Sequence, residues 1–86
     1  MKHEFTPYKF RWITVNRGTR PEAVCLIAVP HYKNDKSGFV VYATDKPEAF
    51  HPIHNRPLIG ALLFDTEDQA IDAGEYVLRE RNQSRG

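Results

Sequence analysis

Along residues 8–16, YKFRWITVN, side chains alternate with a period of two. The pattern predicts a strand with Tyr8, Phe10, Trp12 and Thr14 on one face and Lys9, Arg11, Ile13 and Val15 on the other. RGTRPE (17–22) is turn chemistry, with Gly18 suited to a positive φ and Pro21 expected to end ladder pairing. Residues 23–29 are apolar without alternation, which suits a central strand covered on both faces, and Pro30 is expected to stop it. HYKNDKSG (31–38) reads as a polar hairpin loop and FVVYAT (39–44) as a third strand. Together these segments predict an antiparallel meander.

Residues 45–57, DKPEAFHPIHNRP, carry three prolines and no period of 2 or 3.6. They read as a long Pro-rich loop of the kind that carries function or motion. LIGALLF (58–64) is apolar again and predicts a fourth strand, with Gly60 at a bulge or a close backbone approach. A helix follows. Thr66 and Gln69 have the spacing of a capping box. Ala70, Ile71, Gly74, Val77 and Leu78 share one helical face. Glu67 and Asp68 near its start, and Arg79 and Arg81 near its end, complement the helix dipole. Gly74 costs about 1 kcal/mol relative to Ala in a helix interior, so a close helix–sheet contact is the expected compensation. The expected fold is α+β: a three- to four-stranded antiparallel sheet, with one C-terminal helix across one face. Residues 1–7 and 82–86 are expected to fray. One helix cannot cover both faces, so the other face must be polar or meet a partner.

LFDTEDQAIDAGEYVLRER resembles the closing segment of small proteobacterial sheet-plus-helix domains of unknown function. The positions that carry the likeness are Phe64, Thr66, Glu67, Asp68, Ala70, Ile71 and Gly74. The resemblance covers about twenty residues at the C-terminal strand–helix junction. It implies a sheet-then-helix order and no activity.

Composition narrows the class. The 86 residues suit one small domain, with little room for a deep cleft. A net charge of +1 gives no global polycationic signature of nucleic-acid binding. The halves differ, however: residues 1–36 hold seven Lys/Arg against three Asp/Glu, while 37–86 hold five against eight. Cys25 is the only cysteine, which excludes an intramolecular disulfide scaffold. Within AVCLIAV it reads as a packed core thiol rather than a nucleophile. No apolar run is long enough to span a bilayer, and the N-terminal residues lack a signal-peptide core. The expectation is a cytoplasmic protein that does not enter membranes.

Three surfaces are candidates. Phe50, Ile53 and Arg56, set among prolines, suit a protein interface, although Phe50 and Ile53 could equally pin the loop to the domain. Lys9, Arg11, Arg17, Arg20, Lys33 and Lys36 could form a basic patch for nucleic acid. KFRW itself separates its rings from its cations, and the simplest placement sets the rings under the helix and the cations toward water. His51 and His54 have an H-x-x-H spacing, with Glu48 and His31 as conceivable additions, but zinc usually takes three or four protein ligands. Asp45, Glu48, His51 and His54 could make an acid–base pair in the long loop, as any short charged stretch could, and no nucleophile elbow, phosphate loop or dinucleotide fingerprint is present. The expectation is a small non-enzymatic bacterial domain without a cofactor or metal. Its partner would be another protein or a second copy of itself. Weak nucleic-acid binding is the alternative, and a metal-dependent role at His51/His54 the third.

Overall fold

A computed structural model describes residues 8–60 and 62–84. Three strands, β1 (Lys9–Arg17), β2 (Arg20–Lys33) and β3 (Lys36–Thr44), form an antiparallel sheet in the order β1-β2-β3. One helix, α1 (Glu67–Ser84), packs across one face. Residues 82–84, expected to fray, belong to this helix, while 1–7 and 85–86 lie outside the described residues. No helix among the described residues is long and apolar enough to cross a membrane.

Both hairpins close with two residues. Gly18 has φ +64° and Thr19 does not share the positive φ, as a type II′ turn requires. Asn34 (φ 51°) and Asp35 (φ 63°) are both left-handed, as in type I′, and are among the residues that tolerate it. The second turn is therefore tighter than the eight-residue loop the sequence suggested, and the strands run through it.

Neither Pro21 nor Pro30 ends β2, contrary to expectation. The reason lies in the ladder. Phe39 sends both its N–H and its C=O to Phe64, each bond 2.9 Å long, so these groups point away from β2. Its partner Pro30 therefore has its nitrogen on the β1 side, beyond the last described β1 pair, Lys9–Ala28. By alternation Pro21 has its nitrogen on the β3 side, where pairing begins only at Cys25–Thr44. Each proline sits beyond the described pairing on that side, so neither removes a bond from the described ladders.

The described residues of the 58–64 segment do not form the fourth strand. They contribute the Phe39–Phe64 pair and a 2.8 Å bond from Leu58 N–H to Val41 C=O. Pro57 has no N–H to give, and Gly60 at φ +63° turns the chain.

The helix starts as its sequence indicates: Gln69 N–H donates to Thr66 Oγ1 at 3.1 Å. Ala70, Ile71 and Gly74 are buried and face Leu26, Ala28 and Val41. The close approach at Gly74 is real. A Cβ there would lie 2.8 Å from Val41 Cγ2 and 3.3 Å from Leu26 Cδ2. Gly74→Ala should therefore destabilise by about 1–3 kcal/mol through overpacking, despite gaining about 1 kcal/mol in helix propensity. Urea unfolding checks this, and a more stable variant would mean that the helix lifts off the sheet without cost.

Candidate interaction surface on the first strand

The two faces of β1 carry the residues the alternation assigned to them, but their destinations are reversed. Ile13 and Val15 lie in the core beneath α1, while Phe10 and Trp12 stand on the opposite face, 38% and 48% exposed. The expectation that the rings lie under the helix is corrected by this placement. Lys9 and Arg11 share the helix-side face and reach acids on α1. Lys9 Nζ lies 2.8 Å from Asp68, and Arg11 Nη1 lies 2.7 Å from Asp72 and 3.1 Å from Glu75. Farther along, Arg79 donates to Thr14 C=O at 3.1 Å and pairs with Glu75 at 2.9 Å. Complementary rows, with acids at 68, 72 and 75 against Lys9 and Arg11, are the signal in the sequence that could have identified the helix-bearing face.

The six candidate cations are not brought together. Lys9 and Arg11 are engaged by α1, and Arg17 pairs with Glu22 at 2.7 Å. Arg17 and Arg20 flank the first hairpin, whereas Lys33 and Lys36 flank the second, about 40 Å away along β2. The loop candidates also divide. The 45–57 segment contains two one-turn 3-10 helices, Pro47–Ala49 and Pro52–His54, each opened by a proline where no N–H is needed. These turns are too short to show a period in the sequence. Pro47 is buried and Phe50 turns inward, with ring centroids 5.2 Å from Tyr42 and 6.3 Å from Tyr8. Phe50 thus closes a second small core of Cys25, Ile27, Val29, Val40 and Tyr42, which Leu63 also packs against. Ile53 (83% exposed) and Arg56 face water.

Chemistry is sparse. Burial pushes the Cys25 thiol up to about 11, which keeps it protonated and unreactive. The His51 and His54 rings lie edge to face at 5.6 Å, but no group of three or more metal-ligating side chains exists among the described residues. A groove of about 1110 Å³ beside the C-terminal half of α1 is lined by both signs of charge, including Arg17, Glu22, Asp45 and Arg79. It is broadly open and gathers no acid–base pair.

The remaining feature is the outer edge of β1. Because even-numbered β2 residues bond β1, the odd-numbered β1 residues bond β2. The backbone groups of Phe10, Trp12, Thr14 and Asn16 therefore point outward. Thr14 C=O is taken by Arg79, whereas the N–H and C=O of Trp12 have no partner among the described residues. An exposed indole and an open backbone pair thus coincide at one residue. No family model, curated protein or solved structure matches this chain.

Two predictions test this arrangement. Phe50→Ala should cost about 2 kcal/mol in urea unfolding, less than a fully buried Phe because Phe50 keeps some exposure. An unchanged midpoint would mean that the ring does not hold the loop. The hydrogen bond and charge of Lys9 hold the Asp68 carboxyl below its ordinary range. Its stabilising contribution is therefore complete above that range and lost as pH falls through the lowered value. Asp68→Asn should be less stable than wild type at neutral pH and match it in strong acid. A difference of equal size at both extremes would remove the ion pair as its cause.

Proposed function

We propose that this protein is a non-enzymatic module that binds another polypeptide through the outer side of β1, with Trp12 at the centre of the contact. One observation carries the reading: Trp12 presents both an exposed indole and a backbone N–H and C=O that have no partner among the described residues, on the outer strand of the sheet. Exposed aromatic rings anchor protein interfaces, and open strand edges accept an added strand. Ile53 and Arg56 extend from the loop as further candidate contacts, while Phe50 is occupied in packing. A reduced, cytoplasmic setting in a bacterium suits the single buried thiol.

A nucleic-acid reading has one observation in its favour, since rings exposed on a sheet face can stack on bases. The nearest basic side chains on β1, Lys9 and Arg11, sit on the other face and are held by acids, so they give that platform no phosphate contact. This favours the polypeptide.

The test is to replace Trp12 by a photoreactive phenylalanine analogue in the full chain and irradiate it in its host. Tyr76, on α1 and 67% exposed, serves as the control position. Polypeptide adducts are expected from position 12 and not from position 76. Adducts made mainly of nucleic acid, or equal yields from both positions, would overturn the reading.

A further inference from the structure

We propose that the polypeptide bound at β1 is a second copy of this chain, paired edge to edge in antiparallel register with Trp12 on the two-fold axis. This rests on the reading of β1 as the contact surface and supplies its partner.

The backbone limits the choices. Outward-pointing groups belong to even-numbered residues, so a two-fold antiparallel pairing must set even positions against even ones. Seven registers then lie within the strand, centred on residues 10 to 16. The charges discriminate among them. Centring on Phe10 puts Lys9 opposite Arg11 of the second copy. Centring on Arg11 puts that guanidinium opposite itself. A centre at Ile13 opposes Lys9 and Arg17, and one at Thr14 opposes Arg11 and Arg17. Like charges directly across a ladder are destabilising. The registers centred on Trp12, Val15 and Asn16 avoid them, and of these only the one centred on Trp12 pairs the backbone groups of Trp12 within the strand. It sets Lys9 opposite Val15, Arg11 opposite Ile13 and Phe10 opposite Thr14.

That register also puts the open backbone pair of Trp12 opposite its own copy, so each supplies what the other lacks. Thr14 C=O has a second lone pair beyond the one Arg79 uses. A two-fold axis normal to the sheet gives six strands in the order β3-β2-β1-β1-β2-β3, with both helices on one face. On the other face the two Trp12 rings meet at the centre, between the two loops that carry Phe50.

Sedimentation equilibrium of the full chain should give twice the 9.9 kDa chain mass as concentration rises. In a mixture of labelled and unlabelled chains, an intermolecular NOE should join Arg11 Hα to Ile13 Hα, the close pair of this register. Trp12→Pro removes the central N–H at an edge, where proline is tolerated, and should restore the monomer mass with unchanged helical circular dichroism. A dimer lacking that NOE, or one that survives Trp12→Pro, overturns the proposal. A monomer at every concentration does so too. If position 12 still cross-links to a different polypeptide in the host, self-pairing fails while β1 remains the contact surface. If it cross-links to no polypeptide, both readings fail.

Discussion

Six consecutive residues of β2, Val24 to Val29, are buried, and because a strand alternates they need cover on both faces of the sheet. One helix can supply only one cover. α1 seals Val24, Leu26 and Ala28, and the face bearing Cys25, Ile27 and Val29 is closed by Phe50 and Leu63 from the 45–64 segment. The long loop is therefore the second lid of the domain, and its prolines stiffen the turns that hold it. The helix spans all three strands, whereas the loop cover is centred on β2 and β3. Toward β1 the two sides differ, since α1 reaches its edge while the ring row of Phe10 and Trp12 stays substantially exposed.

The helix reaches that edge because its geometry matches the strand. From Asp68 to Arg79 is eleven residues of helix, about 16 Å of rise. The β1 positions they contact, Lys9 to Thr14, are five residues apart, about 16 Å of strand. The contacts stay in step only because α1 runs alongside β1 in the same direction. Exposed ion pairs contribute little individually, so this row aligns the helix more than it stabilises it. Gly74 sets how closely the helix can approach, through its contact with Val41 and Leu26.

Much of this was legible in the sequence. The alternation of β1, the Thr66 cap and the meaning of Gly74 are local signals, and each corresponds to local geometry. What was not legible depended on neighbours. Pro21 and Pro30 read as stops because a proline removes a donor, yet both sit beyond the described pairing on the side their nitrogens face. LIGALLF has the composition of a strand, but Pro57 and the turn at Gly60 leave it one ladder pair. The choice of helix-bearing face on β1 could not come from periodicity, which separates two faces without ranking them. Hydrophobicity favours burying three rings over Ile13 and Val15. The charge rows on α1 favour the opposite placement, and the structure follows the charges. Trp12 thereby becomes a surface residue, while Phe50 packs against its own domain, one of the two roles its loop allowed.

KFRW can now be understood through what edge strands require. Charged side chains on an exposed edge usually protect it from pairing with another chain, because a neighbour must bury or oppose them. β1 has such residues in Lys9, Arg11 and Arg17, but each is drawn into a pair with an acid of its own chain. Lys9 and Arg11 fold toward the helix, and their charges no longer stand alone beside the strand. The edge they would have guarded is left with Trp12, which offers an apolar ring and two hydrogen-bonding groups without a partner among the described residues. A nucleic-acid platform would need those cations beside the rings. A strand-pairing edge needs them away from the rings, and their ion pairs with α1 hold them on the helix side.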